Sequence, residues 1–278
     1  MILNRRDMLV GSAATAAMVA GGAKAATMET YYYFVFLNPV PGMEKEFNTF
    51  YDTRHIIDVT AVPGFVSGQR FIRNETQMYP NVEPKLANYL ALYTIRTDNL
   101  DAVVADVSNR IKTGITKFPT PSVFEAGTGQ SYYYRFNAPL VKRTMPMPAS
   151  FAGKKLVNYN HMVFMNAAPG KQKEWEEWYD QTHSPDMLTG DGIMTSQRTT
   201  LARPSGNAKP EATKELVMFT VQMPEGLPAN SAAPKMAPRA PGAPPPPSLQ
   251  VDTRGYTYRQ IGMITHEEAV AKKATFKD

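Results

Sequence analysis

Two histidines, His55 and His183, are the side chains of this sequence best suited to move a proton, because histidine titrates near neutrality. Each lies in the same pattern, Y-D-x-x-H-x-x-D, so Asp58 and Asp186 follow the histidines by three residues. If a helix continues through the pattern, each aspartate lies on the face of its histidine and can fix the tautomer of the ring. The pattern therefore predicts two catalytic histidines, each with its own orienting carboxylate.

Tyrosine and arginine complete both copies of this polar set. Tyr51 and Tyr179 come four residues before the histidines and offer a phenolic hydrogen-bond donor. Arg70 and Arg198 come 15 residues after the histidines, and a guanidinium group can bind a carboxylate or stabilise an enolate. We predict that the tyrosines act in catalysis and that the arginines bind substrate.

Other interpretations of the polar set stay open at this stage. Polar side chains at the end of a helix can simply tie the helix to a strand, and such a brace would also occur in both copies. Metal or haem binding is the third alternative. The chain has four histidines, no cysteine and no H-x-H or H-x-x-x-H pair, so the sequence shows no converging set of metal ligands. No metal site is predicted.

The polar set occurs twice because a longer segment of the chain occurs twice. Residues 35–70 align without a gap with residues 163–198, at a shift of 128 positions. The matching positions include polar residues, so the two segments share more than a periodic pattern of apolar residues. Two copies of one supersecondary unit in a chain predict an internal pseudo-dimer.

His161 and Tyr33 are two further predicted substrate-binding residues, and the shift of 128 aligns them with each other. His161 alternates with Tyr159 and Val163 along a predicted strand. A residue on such a strand can face a cavity, but an ordinary surface or core position is the alternative.

Each copy needs the same elements to position its histidine. Aromatic and β-branched residues predict an opening strand at 31–37 and at 157–165. A Pro-Gly pair then precedes a helix whose apolar stripe begins at Phe47 and Trp175 and becomes polar at the histidines. A second strand runs through each Gln-Arg pair. The remaining strands are predicted at 88–96 and 215–222 and around Tyr132 and Tyr256.

The copies diverge after the third strand. Residues 99–112 predict a helix, whereas 224–250 are rich in proline and predict an extended loop. The first copy therefore has the ferredoxin-like order β-α-β-β-α-β, and the second repeat lacks its second helix. Two such sheets that cover each other predict an α+β fold, a single-chain pseudo-dimeric barrel with halves at 27–148 and 149–278. Such barrels often hold a ligand cavity.

The motif N-P-x-P-G-x-x-x-x-F-x-x-x-Y-D-x-x-H-x-x-D, followed by P-G-F-x-x-x-Q-R-F, resembles the EthD-like branch of the dimeric α/β-barrel superfamily. Copy two departs from it at Ala167, Asp191, Ile193 and Thr199. Members of the superfamily include polyketide cyclases, decarboxylases, lactone isomerases, small monooxygenases and haem enzymes. Copy one carries the motif at Asn38, Pro39, Pro41, Gly42, Phe47, Tyr51, Asp52, His55, Asp58, Pro63, Gly64, Phe65, Gln69, Arg70 and Phe71.

Residues 1–25 have the pattern of a twin-arginine export signal. Arg5 and Arg6 precede a mild apolar run that ends at the A-x-A sequence of residues 23–25. We therefore expect a periplasmic protein, with a single N-terminal membrane anchor as the alternative. Removing the leader lowers the net charge from +5 to +3, and no basic stripe with interleaved aromatics is present. Nucleic acid is thus not an expected partner, and no later segment is apolar enough to cross a membrane.

The residues and the resemblance together predict an exported, cofactor-independent lyase or isomerase. It would act on a small aromatic, lactone or polyketide-like compound through histidine acid–base chemistry, as a monomer or a homodimer. One alternative is a non-catalytic periplasmic binder of an apolar small molecule. The other is a haem-dependent oxidoreductase, since dye-decolorising peroxidases combine twin-arginine export with paired ferredoxin-like domains, although their G-x-x-D-G signature is missing here.

Overall fold

Eight antiparallel strands close into one barrel in the computed structural model, which describes residues 27–77, 86–120, 122–125, 127–204, 213–232 and 248–276. A ninth strand, β5, has two residues and pairs only with β7. The strands are β1 (Glu29–Leu37), β2 (Phe65–Arg73), β3 (Tyr89–Thr97), β4 (Gln130–Phe136), β5 (Val141–Lys142), β6 (Leu156–Ala167), β7 (Ile193–Pro204), β8 (Glu215–Pro224) and β9 (Gln250–Thr265).

The order of strands around the barrel repeats itself. It runs β4-β1-β3-β2 through the first copy and β9-β6-β8-β7 through the second, and β7 returns to β4. Each group of four has the ferredoxin-like order. The copies meet at two equivalent seams, β2–β9 and β4–β7, where Phe71 pairs with Gln260 and Thr199 pairs with Phe136. The predicted pseudo-dimeric α+β barrel is confirmed.

Side chains fill the interior of the barrel. Because strand residues alternate between faces, every second residue of each strand points inward. In β1 these are Tyr32, Phe34 and Phe36, and in β6 they include Met162 and Phe164. Burial of an aromatic side chain contributes about 1.5–3 kcal/mol, so this packed interior is a large part of the stability. In the described middle of the barrel these aromatic and apolar side chains pack against one another. The inward-facing core consists of Tyr32, Phe34, Phe36, Phe71, Leu90, Leu92, Tyr132, Tyr134, Met162, Phe164, Leu216, Met218, Tyr256 and Tyr258.

The helices pack on the outside of the barrel, and both repeats carry helices. Phe47 and Trp175 are the fully buried anchors at which the apolar stripe of each helix meets its sheet. In the first repeat the helices are α1 (Glu44–Phe50), α2 (Ile56–Thr60) and α3 (Leu100–Lys112), and in the second they are α4 (Gln172–Trp178), α5 (Ser184–Met187) and α6 (His266–Lys273).

Each repeat helix contains a π-helical turn at the position of the motif. The turns span Tyr51–His55 and Tyr179–His183, between α1 and α2 and between α4 and α5. The sequence predicts one uninterrupted helix here. A π-turn widens the spiral and changes which side chains share a face, and such turns occur frequently at functional sites.

The predicted second helix of the first repeat is present as α3, with the Asn99 side chain accepting a hydrogen bond from the amide of Ala102. The described part of 224–250 contains a short 3₁₀ turn, Ala229–Ala232, and no α-helix, and residues 233–247 of this loop lie outside the described residues. The predicted leader, 1–25, also lies outside them. None of the helices in the described part of the chain is long and apolar enough to span a membrane.

The C-terminal helix α6 was not predicted. It begins with a capping box, in which the Thr265 hydroxyl accepts from the amide of Glu268 and the Glu268 carboxylate accepts from the amide of Thr265. The T-x-x-E spacing is visible in the sequence and signals this start. Although α6 comes last in the chain, it packs against α2 of the first repeat.

Candidate functional site

The predicted residues form two equivalent groups between the helices and the outer face of the barrel, one in each repeat. The first-repeat site contains Tyr33, Tyr51, His55, Asp58 and Arg70. The second-repeat site contains the corresponding residues His161, Tyr179, His183, Asp186 and Arg198. In each site the strands supply one aromatic or histidine ring and the arginine, and the π-turn supplies the tyrosine and the other histidine.

Arg70 is buried and donates hydrogen bonds from its guanidinium to other residues of the protein. It is only 1% exposed, and its guanidinium donates to Asp52 at 2.6 Å and to Asn48 at 2.7 Å. It also lies 4.2 Å from the centre of the Tyr51 ring. These contacts connect β2 to the helix above it, so the geometry favours the structural alternative for Arg70.

Arg198 forms the equivalent contact in the second repeat with better geometry. Its guanidinium donates to both carboxylate oxygens of Asp180, at 3.0 and 2.8 Å, and lies 3.4 Å from the Glu176 carboxylate. Such two-point pairs are strong and directional. Both arginines thus tie a strand to the start of a π-turn. To bind a substrate as predicted, each arginine would have to give up its bonds to the aspartate of the turn.

Asp58 does not orient His55, contrary to the prediction. The carboxylate is fully buried, accepts from the Arg54 side chain at 2.9 Å and from the Lys117 amide at 3.0 Å, and forms an ion pair with Lys273 at 2.9 Å. Burial raises the pKa of Asp58, but these three donors outweigh it and hold the pKa below the ordinary value. Its partners come from segments distant in the sequence, so Asp58 joins α2 to α6 rather than hydrogen-bonding to His55.

Asp186 has no such partners, although the repeat aligns it with Asp58. Its side chain is half-buried and forms no ion pair or hydrogen bond with a described residue. In the first repeat the donors come from Arg54, Lys117 and Lys273, whereas Thr182 occupies the position that corresponds to Arg54. The orienting role predicted for Asp186 has no contact that supports it.

His55 is enclosed. It is 4% exposed, and its Nδ1 lies 2.5 Å from the Lys117 carbonyl oxygen, which places the proton on Nδ1 when the ring is neutral. Tyr51 presents its ring at 4.7 Å and Phe118 at 5.5 Å. Burial lowers the pKa of His55 to about 4, and the Lys117 carbonyl opposes this only in part. His55 is therefore a neutral, weakly basic imidazole, with a backbone carbonyl in the orienting role predicted for Asp58.

His183 is more accessible than His55. Its ring is half-buried and stacks on Trp178, with centroids 4.5 Å apart and planes at 16°. Tyr179 meets the imidazole edge to face at 4.9 Å, and Phe219 lies at 6.3 Å. Trp178 and Phe219 were not among the predicted site residues. The W-x-x-W-Y-D sequence beside the histidine is the signal that would have found Trp178.

His161 lies on the outer face of β6, within the second-repeat site rather than in the barrel. It is buried, its Nδ1 lies 3.0 Å from the Thr257 hydroxyl, and its ring stacks on Phe219 at 6.3 Å. Desolvation lowers the pKa of His161 to about 4. Phe219 is thus flanked by two histidines, one from a strand and one from the π-turn.

The three predicted tyrosines differ in their surroundings. Tyr33 lies on the outer face of β1 and stacks on Tyr133 at 4.1 Å, and burial raises its pKa. Burial likewise raises the pKa of Tyr51. Tyr179 is buried, and its hydroxyl donates to the Met165 sulfur at 3.4 Å. The hydroxyls of Tyr33 and Tyr51 are therefore held in their protonated, donor form at neutral pH.

Three cavities lie away from these ten residues. One of them, about 840 Å³, is a charged cleft at the β4–β7 seam that includes Glu29, Asp101 and Arg203. A second, of about 310 Å³, surrounds Asn38 and Glu44, and a third, of about 260 Å³, opens at one end of the barrel. No histidine lines any of these three cavities. Within the described residues, no group of three or more potential ligands converges on a metal position.

Solved structures with the same architecture exist. The crystal structure of an anthrone oxidase-like protein matches with a TM-score of 0.50 and 11% identity, over 87% of this chain and 94% of that chain. Because the match spans both repeats, it supports the two-repeat barrel as a single-chain fold, and at this identity it shows the fold alone.

Two further structures have lower scores. A protein from Fusobacterium nucleatum subsp. nucleatum ATCC 25586, named as a candidate monooxygenase, has a TM-score of 0.49 and 8% identity over 86% of this chain and 95% of that chain. Another, from Lactobacillus acidophilus NCFM and named in the same way, has a TM-score of 0.44 and 6% identity over 86% and 97%. No protein-family model and no curated protein matches the sequence.

Proposed function

We propose that the second-repeat site transfers a proton to and from a small aromatic, lactone or polyketide-like compound, with His183 as the base. The protein would then be a cofactor-independent lyase or isomerase. We also propose, from the pattern of residues 1–25, that it is exported to the periplasm by the twin-arginine route. The observation that carries the assignment is the contrast between two equivalent histidines, of which His55 is 4% exposed and His183 is half-buried.

A substrate has to touch the base that deprotonates it. At His55 the space is taken by Phe118 and by the carbonyl of Lys117, both from the segment after α3. In the sequence, the second repeat has the proline-rich residues 224–250 in place of α3 and the segment that follows it. Repeat one therefore keeps the histidine as part of a packed core, and repeat two keeps it where a small molecule can approach.

The surroundings of His183 suit a flat, largely apolar substrate. The rings of Trp178 and Tyr179 lie 4.5 and 4.9 Å from the imidazole and give it an aromatic environment. Aromatic rings bind planar molecules through offset stacking and edge-to-face contacts. His161, on the far side of Phe219, adds a second imidazole that is neutral at pH 7, because burial lowers its pKa to about 4.

In the proposed reaction His183 takes a proton from a carbon next to a carbonyl group, and the electron pair moves onto the carbonyl oxygen as an enolate. The proton then returns to another carbon, or a leaving group departs from the neighbouring carbon. General-base catalysis of this kind typically contributes about 10²–10⁴-fold in rate. Arg198 would support the site by holding the π-turn in place through Asp180.

Oxidation is the second candidate, favoured by the likeness to a structure named as an anthrone oxidase-like protein. Oxidation would begin with the same step, the transfer of a proton from the substrate carbon to His183. The enolate would pass its electrons to O₂, so that a CH₂ group becomes a carbonyl. One oxygen atom ends in the product and the other ends in water.

The test compares histidine variants that the repeat makes equivalent. The protein without residues 1–25 is assayed with anthrone, an unsaturated six-membered lactone and a 1,3-diketone, by proton exchange into D₂O and by O₂ uptake. We expect His183→Gln to lower the rate at least 100-fold, and His55→Gln to keep it within about threefold. Equal rates for the wild type and His183→Gln would refute the proposal, as would saturable binding without turnover of any probe. O₂ uptake equal to product formation would select the oxidation.

A further inference from the structure

The cavity at one end of the barrel, about 260 Å³ in volume, has carboxamide side chains at five of its eleven lining residues. It lies on the inner side of the sheet, whereas the histidine sites lie on the outer side. Asn160 and His161 are consecutive in β6 and point to opposite faces, so the two sites are separated by the sheet itself. The lining consists of Gln69, Phe71, Asn158, Tyr159, Asn160, Met194, Thr220, Val221, Gln222, Gln260 and Met263.

The cavity exists because the two repeats differ at this point. The pairing of strands maps Asn160 onto Tyr32 and Gln260 onto Phe136, since Asn160 pairs with Tyr258 as Tyr32 pairs with Tyr134. At the opposite end of the barrel the rings of Tyr32 and Phe136 lie 4.5 Å apart and fill the space. At this end two amides replace two aromatic rings, and the space stays open.

The amides on the rim hold one another. Gln260 donates to Gln69 at 2.9 Å, Asn158 donates to Gln260 at 2.8 Å, and Gln222 donates to Asn158 at 3.1 Å. This chain connects β2, β9, β6 and β8 across the opening. Because each member is bonded to its neighbour, the rim is preorganised rather than free to collapse into the cavity.

Asn160 is the exception among these amides. It is 4% exposed, and its Nδ2 donates to no residue in the described part of the chain. A buried polar group without a partner destabilises the folded protein, because it has lost its hydrogen bonds to water. A ligand oxygen placed in the cavity would accept this hydrogen bond and remove the destabilisation.

We propose that this end of the barrel binds a small neutral molecule that carries a carbonyl, carboxamide or hydroxyl oxygen. The oxygen accepts from Asn160, and the apolar part of the molecule lies against Phe71 and Met194. No lining residue is charged. An ionic ligand would lose its hydration without gaining a counter-charge, so the site selects against ions.

The experiment follows the side-chain amide signals of the protein by two-dimensional NMR during titration with acetamide, 2-pyrrolidone, benzamide and benzyl alcohol. We expect at least one of these probes to shift the Asn160 signal saturably, and benzoate and benzylammonium to leave it unchanged. Asn160→Leu removes the donor and should weaken binding about tenfold, the equivalent of one hydrogen bond. Asn160→Tyr combined with Gln260→Phe copies the closed end of the barrel and should abolish binding.

Two controls separate this site from the proposed active site and from misfolding. His183→Gln should bind the probes like the wild type, because the sheet lies between the two sites. A thermal melt of each variant shows whether it is folded. If the double variant does not fold, the single variant Asn160→Leu provides the test of binding. The proposal is overturned if none of the four neutral probes shifts the Asn160 signal, if Asn160→Leu binds with unchanged affinity, or if only water is found in the cavity.

Discussion

Arg198 binds both carboxylate oxygens of Asp180, at 3.0 and 2.8 Å. The equivalent residues of the first repeat, Arg70 and Asp52, also form a pair, at 2.6 Å. The repeats diverge at most neighbouring positions, yet both keep a strand arginine bonded to the second residue of a π-turn. We interpret this pair as the structural element of the motif that sets the position of the histidine three residues further on.

Arg70→Met should therefore destabilise the protein by about 1–3 kcal/mol, because Asn48 and Asp52 lose the hydrogen bonds that a buried guanidinium donates to them. Urea unfolding measures the change. Arg135→Met is a suitable control, since its ion pair with Glu29 is exposed and should contribute less than about 1 kcal/mol. If Arg70→Met unfolds like the control but abolishes ligand binding, the arginine is a binding residue and the structural interpretation fails.

Asp58→Asn should cost about 2–4 kcal/mol, because the fully buried carboxylate joins Arg54, Lys117 and Lys273. Asp186→Asn is the matched control, and its half-buried carboxylate has no side-chain partner among the described residues. Its effect should stay within about 0.5 kcal/mol. Chemical denaturation of both variants measures their free energies of unfolding. An equal loss of stability in Asp58→Asn and Asp186→Asn would contradict the prediction.

Gly68→Ala should destabilise the protein by roughly 1–3 kcal/mol through overpacking. An added Cβ would overlap the Thr60 hydroxyl and lie 3.0 Å from Ile56. Gly262→Ala is the control within the same sheet, because its Cβ would meet nothing closer than 3.7 Å. Differential scanning calorimetry should show a lower melting temperature for the first variant only. A similar shift for both would mean that glycine flexibility, not the contact, matters.

The fold could be predicted because its cause lies in local patterns. The repeat, the alternation of aromatic residues and the helical stripe each appear in the sequence, and the exposed face of each ferredoxin-like sheet requires a partner. The alternation does not say which face of a strand turns inward. Tyr132 and Tyr134 line the interior, whereas Tyr31 and Tyr33 lie on the outside.

The site was predicted less well, because its contacts depend on distant segments. The Lys117 carbonyl beside His55 belongs to a loop with no motif, and Lys273, which binds Asp58, belongs to the C-terminal helix. The π-turn cannot be read from apolar spacing, because the stripe before it has the period of an ordinary helix. The alignment of the repeats therefore identified His55 and His183 as equivalent positions. It could not show that His55 is enclosed and that His183 is more accessible.

His55 and His161 should make stability depend on pH between about 4 and 6.5. Burial lowers the pKa of each ring to about 4, and the unfolded value is about 6.5. Within this window the unfolded chain binds more protons than the folded protein, so the free energy of unfolding falls as the pH falls. The stability is fully present above pH 6.5 and is lost down to about pH 4, at up to about 3 kcal/mol for each histidine.

Urea unfolding at several pH values, compared between the wild type, His55→Phe, His161→Phe and the double variant, isolates these two groups from the carboxylates. We expect each single variant to flatten the profile and the double variant to flatten it most. A double variant with the slope of the wild type would show that neither ring is held neutral by the fold.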